Sequence, residues 1–172
     1  MLYYLIDDDE TSRLIFEKQL EKTVGKNQLL SIPVEYTHPL YTSDAESNKQ
    51  AEPFPTDTQS KAKVKLQSFS SAVSALTLIR KHFLLGNYTS LPDWIFLDII
   101  MPGIDGWQFL DKLMELFRTV PSAKDTGIKV GVCLLTAYVN QYDLQRAQQY
   151  PLVKDCLLKP LTAIDLKLVT QI

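Results

Sequence analysis

Apolar residues occur in this chain as short unbroken runs, separated by stretches with helical spacing. Leu2–Ile6 is such a run and predicts a buried strand. Glu10–Val24 predicts a helix, with Phe16, Leu20 and Val24 four apart on one face and Gly25 as its stop. In Val64–Phe69, Val64 and Leu66 alternate with Lys65 and Gln67, which predicts an edge strand rather than a central one. Ser70 or Ser71 can cap the next helix, which carries Val73, Leu76, Ile79 and Phe83 at helical spacing. Trp94–Asp98 predicts a third strand that ends in an acid, and Asp105 opens a helix with Trp107, Leu110, Leu113, Met114 and Phe117 on one face. Lys129–Leu135 and Val153–Leu158 predict the fourth and fifth strands, followed by helices over Asn140–Gln149 and Thr162–Gln171. Five strand–helix units in succession predict a parallel sheet covered on both faces, and no internal repeat is present.

Residues 37–63 break this rhythm, with Pro39, Pro53 and Pro55 among many Ser, Thr, Asn, Gln and Lys. That composition predicts disorder or a loosely held excursion outside the core. The preceding Leu30–Tyr36 is apolar enough for a strand that either extends the sheet edge or pairs with Val64–Phe69 as a long hairpin.

Composition narrows the function. The chain has 172 residues, 45% of them apolar and 22% charged, enough for one globular domain with a core. A net charge of −2 without a basic run argues against direct contact with nucleic acid. No apolar run approaches the roughly 20 residues of a membrane span. The start, Met-Leu-Tyr-Tyr-Leu-Ile, lacks the basic opening and cleavage site of a signal peptide, so a cytoplasmic protein is expected. Cys133 and Cys156 lie in strand-like runs and are expected as thiols rather than a disulfide. No Cys/His cluster has zinc-ligand spacing, and His38 and His82 are far apart.

The chemistry concentrates where strands end. In an open parallel sheet the carboxyl ends of the strands face a common crevice, where ligands bind. Asp7, Asp8 and Asp9 follow the first strand, Asp98 ends the third, Thr136 follows the fourth and Lys159 the fifth. Carboxylates brought together repel one another unless a cation neutralises them, and a hard divalent ion such as Mg²⁺ meets that need. The lysine adds a mobile positive charge, and the hydroxyl can hydrogen-bond an anionic oxygen. The set suits a phosphoryl group carried on a carboxylate. An acidic triplet alone is often a solvated turn, Asp98 alone could be a capping residue, and Lys159-Pro160 alone is a common strand exit. Their joint placement at successive strand ends distinguishes this chain.

With these residues in place, the chain resembles the receiver domains of two-component response regulators. The resemblance rests on Leu-Ile-Asp-Asp at 5–8, Trp-Ile-Phe-Leu-Asp-Ile-Ile-Met-Pro-Gly-Ile-Asp-Gly-Trp at 94–107, Leu-Leu-Thr-Ala at 134–137 and Leu-Leu-Lys-Pro-Leu at 157–161. The aspartate followed by Met-Pro-Gly-x-Asp-Gly is the most specific of these. The resemblance implies a flavodoxin-like, doubly wound sheet of five parallel strands in the order 2-1-3-4-5. One receiver domain would then span 1–172, with a long insertion at about 31–62 between the first helix and second strand and a small extension near 119–127.

By the same resemblance, Asp98 is the phospho-acceptor, Asp8 the direct metal ligand and Asp7 the holder of metal-bound water, with the backbone carbonyl of Ile100 completing the protein ligands for Mg²⁺. Thr136 is the hydroxyl that moves toward the phosphoryl group, Lys159 the lysine that pairs with it and Pro160 the family's following proline. The role of Asp9 stays open. The family usually places an aromatic ring three residues before the lysine, and here that position is Cys156. Output is then read without a ring there, or a nearby aromatic such as Tyr138 substitutes.

The implied function is Mg²⁺-dependent transfer of a phosphoryl group to Asp98 from a histidine kinase or phosphotransfer protein. The product switches contacts with a downstream protein target. The chain would assist its own phosphorylation and slow dephosphorylation rather than turn over as a conventional enzyme. Ile100 and Tyr138, two residues after the acceptor and the threonine, are poorly suited to activating water, which implies a long-lived phosphoryl group. With the chain ending inside its fifth helix, it would act through protein contacts, pass the group along a relay, or be a fragment of a longer protein. The alternative is a non-phosphorylated receiver-like binding module, which would lack an acceptor, metal or lysine residue; all are present. A flavin binder would want a phosphate-cradling loop after the first strand, where this chain has acids. A hydrolase with an aspartate nucleophile would more often carry a second acid at the position of Ile100.

Overall fold

The computed structural model describes residues 1–32, 63–119 and 128–171. In chain order the elements are β1 (Leu2–Ile6), α1 (Glu10–Val24), β2 (Leu29–Ile32), β3 (Val64–Phe69), α2 (Ala72–Leu84), β4 (Trp94–Asp98), α3 (Gly106–Arg118), β5 (Gly131–Thr136), α4 (Gln141–Ala147), β6 (Val153–Leu158) and α5 (Ala163–Thr170), with short 3₁₀ turns at Lys26–Gln28 and Tyr88–Ser90. All strand pairings are parallel, and the strands lie in the order β2-β3-β1-β4-β5-β6.

The unbroken apolar runs are explained by burial on both faces of this sheet. Tyr4, Ile6, Ile95, Leu97, Val132 and Leu134 pack into one core beneath α2 and α3. Tyr3, Leu5, Phe96, Cys133 and Leu135 pack into the other with Phe16 and Leu20 of α1 and Leu166 of α5. Each helix begins at a polar cap: Asp9, Ser71, Asp105, Asn140 and Thr162 accept hydrogen bonds from the backbone two or three residues into their helices. Gly25 ends α1 with φ at 93°, a region glycine adopts without a Cβ clash.

Three expectations are corrected. The sheet has six strands, because Leu29–Ile32 joins it beyond β3. That strand runs parallel to β3, so the edge extension is the arrangement found and the antiparallel hairpin is not; residues 33–36 lie outside the described residues. Val64–Phe69 is therefore internal, flanked by β2 and β1, and its alternation does not mark an edge. Gln67 is buried there, although it is polar. In α2 the buried stripe is Ala72, Ala75, Leu78, Ile79 and Phe83, while Val73 is exposed. The face turned to the core thus includes two alanines, and Val73 lies off it.

In the first two turns of α3, side chains tie it to α4 and the turn that follows α4. The Arg146 guanidinium lies 4.6 Å from the centre of the Trp107 ring. Tyr150 packs on that ring and donates its hydroxyl to Asp111 at 2.7 Å. Both cysteines are free thiols. Among the described residues no helix is long and apolar enough to cross a membrane. The expected insertion and the small extension fall largely on 33–62 and 120–127, outside the described residues, as does His38.

Candidate functional site

Because β1, β4, β5 and β6 run parallel, their carboxyl ends share one edge of the sheet. Main-chain bonds align these ends, with Asp7 donating to Phe69, Ile99 to Leu135 and Lys159 to Thr136 at 2.8–3.1 Å. The side chains of Asp7 and Asp98 then converge on Lys159. Its Nζ lies 2.6 Å from an Oδ2 of each.

The other oxygen of each acid is held by the chain itself. The Asp9 amide donates to Asp7 Oδ1 at 3.0 Å, and the Ile100 amide donates to Asp98 Oδ1 at 3.2 Å. Both are local turns in which an aspartate binds the backbone two residues on. Asp7 and Asp98 are buried, whereas Asp8 is exposed and, among the described residues, nothing hydrogen-bonds its carboxylate. One oxygen from each of Asp7, Asp8 and Asp98 can be chosen so that all lie within 4.8 Å of one another.

Burial pushes the Asp98 carboxyl above the ordinary aspartate range, against the opposing hydrogen bond and charge of Lys159. Burial works against the ammonium of Lys159, but hydrogen bonds to Asp7 and Asp98 outweigh it and hold its pKa above the ordinary value. Three carboxylates around one ammonium leave negative charge uncompensated. The donors are hard oxygens, and one carboxylate is unengaged among the described residues. These residues fit a hard divalent cation such as Mg²⁺.

The sequence-derived residues are not all engaged alike. Asp7, Asp98 and Lys159 touch, and Asp8 lies beside them. Thr136 is buried on the same edge, but its Oγ1 donates to the Tyr138 carbonyl at 2.9 Å and accepts from the Tyr138 amide at 3.2 Å, turned into its own loop. Ile100 and Tyr138 have exposed side chains, 75% and 73% accessible. Cys156 is half-buried and packs against the core that holds Trp107 and Tyr150. Asp9 has a clear structural role. Its Oδ1 accepts from the Ser12 amide at 2.6 Å and caps α1, and that bond draws its carboxyl below the ordinary range.

Two residues at the site carry roles not foreseen from their types. A Cβ on Gly106 would stand 2.5 Å from the Asp98 carbonyl oxygen and 2.8 Å from the Ile99 Cα, so only glycine lets α3 start against the Asp98 backbone. Its place directly after a helix cap in a short turn was the available signal. Arg13 donates from Nη1 to the carbonyls of Asp7 and Asp8 at 2.7 and 3.0 Å. An arginine one turn into a helix that follows three acids was the signal there. Beside Lys159 and the start of α1 opens a cleft of about 420 Å³, lined by Asp9, Ile15, Phe16, Ala137, Pro160 and Leu161 among others.

No protein-family model and no curated protein matches the chain. Solved structures do. A two-component response regulator from Cytophaga hutchinsonii is 25% identical, with a TM-score of 0.56 and coverage of 99% of this chain and 93% of that one. The Vibrio cholerae chemotaxis protein CheY4 is 14% identical, with a TM-score of 0.58 and coverage of 99% and 95%. The receiver domain of the histidine kinase CKI1 from Arabidopsis thaliana, solved in complex with Mg²⁺, is 15% identical, with a TM-score of 0.59 and coverage of 99% and 90%. The chain has the flavodoxin-like fold of response regulator receiver domains, with β2 as an additional strand at one edge.

Proposed function

We propose that this chain works as a receiver domain of a two-component phosphorelay, accepting a phosphoryl group on Asp98. The observation that carries this reading is the contact of Lys159 with Asp98 and Asp7 beside the unengaged Asp8 carboxylate. A carboxylate nucleophile, an acidic cation site and a lysine are the parts such a transfer needs.

In this reading an Asp98 carboxylate oxygen attacks phosphorus in line with the phosphohistidine nitrogen of a histidine kinase or phosphotransfer protein. The O–P bond forms as the N–P bond breaks, and the imidazole leaves with its electron pair and takes up a proton. Asp8 and Asp98, with the Ile100 carbonyl, would hold Mg²⁺, and Asp7 would support that site from beside it. The cation would supply charge neutralisation at the phosphoryl oxygens. Lys159 is already poised at Asp98 Oδ2 and pairs with the new anion. Thr136 must release Tyr138 to reach that anion, which links phosphorylation to the loop that leads into α4. The added charge of about −1.5 to −2 then biases contacts with a downstream protein. Residues 1–172 act as one such domain.

The test is incubation with a small phosphodonor such as acetyl phosphate, with and without Mg²⁺, and location of the label by mass spectrometry. Labelling is expected on Asp98, to be lost in Asp98→Asn and crippled in Asp8→Ala or after chelation. After donor removal the label is expected to decay slowly, and faster in Ile100→Asn and Tyr138→Glu. Undiminished labelling of Asp98→Asn would overturn the assignment.

A further inference from the structure

We propose that Arg13 is a positioning residue for cation binding. By strapping the main chain of the Asp7–Asp8 turn, it keeps the Asp8 carboxylate within the acid cluster. The inference rests on the receiver reading above and concerns a residue outside the acceptor, metal and lysine set.

The need arises where β1 stops. Its ladder ends at Ile6, and the carbonyls of Asp7 and Asp8 leave it without a strand partner. The partly buried Asp7 carbonyl requires a donor from elsewhere, while the exposed Asp8 carbonyl could also meet solvent. One Arg13 nitrogen meets both, at 2.7 and 3.0 Å. The reach is set by α1, since Asp9 caps that helix and the Arg13 amide donates to the Asp9 carbonyl at 3.1 Å. The strap is therefore built into the first turn of the helix that follows the acids.

The three acids at the site are held differently. Asp7 is fixed through its side chain by the Asp9 amide and Lys159, and Asp98 by the Ile100 amide and Lys159. The Asp8 side chain has no such tie among the described residues, so the orientation of its carboxylate depends on the main chain beneath it. The amides on either side are bonded, Asp7 to Phe69 and Asp9 to Asp7 Oδ1, and Arg13 holds the carbonyls between them. It also brings a positive charge to a turn of three consecutive acids while binding carbonyls, which leaves the carboxylate oxygens open to an ion. Lys159 does the reverse and occupies carboxylate oxygens directly.

Groups that orient metal ligands from behind typically change metal affinity by about 10–100-fold when removed. Calorimetric titration of the full chain with Mg²⁺ is expected to show about tenfold weaker binding in Arg13→Ala. The rate of Asp98 labelling at saturating Mg²⁺ should stay close to that of the parent. Arg13→Lys, which keeps the charge but ends one bond short of the arginine nitrogen that meets both carbonyls, is expected to bind Mg²⁺ with affinity between the two. It also decides the matter if circular dichroism shows Arg13→Ala to be unfolded. Equal affinity in parent and Arg13→Ala overturns the inference, as does a loss confined to the saturated rate. Parent-like affinity in Arg13→Lys reduces the role to charge and overturns the strap. A parent that binds no Mg²⁺ overturns the receiver reading itself, and the role of Arg13 with it.

Discussion

The two sides of the site are packed very differently. On one side, β5 is buried at all six positions, and β1 and β4 are buried along nearly their whole length. On the other, no residue of β6 is fully buried, and Leu158, Tyr142, Ile164 and Leu168 of β6, α4 and α5 are 53–72% exposed. Asp7 and Asp98 stand on the packed side, and Lys159 ends the loose one. Close-packed interiors resist displacement, whereas sparsely packed elements open at low cost. Asp98 is thus held on a closely packed scaffold, while Lys159 follows a sparsely packed strand. In the proposed reading, a change of charge at Asp98 would be expressed on the side where packing resists it less.

The sharpest way to break this comparison is a pair of leucine truncations. Leu134→Ala in β5 should cost about 3 kcal/mol, from lost burial and the cavity left behind. Leu158→Ala at the end of β6 should change stability by less than about 0.5 kcal/mol. Denaturant unfolding of both variants measures the difference, and similar losses would mean that the two sides are equally packed. A smaller effect is expected from Gly106→Ala, where the added methyl must push the Asp98 carbonyl or the start of α3 aside. Overpacking of that kind costs about 2 kcal/mol. An unchanged unfolding midpoint would show that the acceptor's turn yields easily.

The third effect is the smallest, and it depends on pH. Burial raises the Asp98 carboxyl above its ordinary value of 3.8, so folding disfavours the ionised form. The stability tied to that raised pKa is complete below pH 3.8 and is lost as pH rises through the folded value. At neutral pH the folded protein therefore bears the cost of a buried charge. Asp98→Asn should unfold at a higher denaturant concentration than the parent at pH 7. The gap should close as pH falls toward 3.8. A variant no more stable than the parent at pH 7 would show that Lys159 fully compensates the acceptor's charge.

Legibility from sequence followed the same division. The fully buried strands announce themselves, because burial on both faces demands an unbroken apolar run such as Gly131–Leu135. β3 misleads because Lys65 and Gln67 imitate an edge, and whether another strand lies beyond it is a tertiary fact. Val73 misleads because a helical stripe containing alanines is read poorly from the largest residues. At the site, Asp98, Asp7, Asp8 and Lys159 were readable because each ends a strand and carries charge. Thr136 lies at the expected strand end, but its hydroxyl is engaged with Tyr138, which spacing does not reveal. Gly106 and Arg13 act on backbone atoms of other segments, and those atoms acquire an address only once the chain has folded.

The stacking of Arg146 on Trp107 gives the molecule a built-in optical readout. Trp107 follows the glycine that abuts the acceptor's backbone and lies under a guanidinium carried by α4. The emission of an indole depends on charge placed over its ring, so displacement of α4 changes the colour and brightness of this one. Trp94 sits at the opposite end of the strands, stacked on Phe96, where it serves as an internal reference or is silenced as Trp94→Phe. Displacement of α4 can thus be followed by light from the unlabelled chain in solution, on the timescale of mixing.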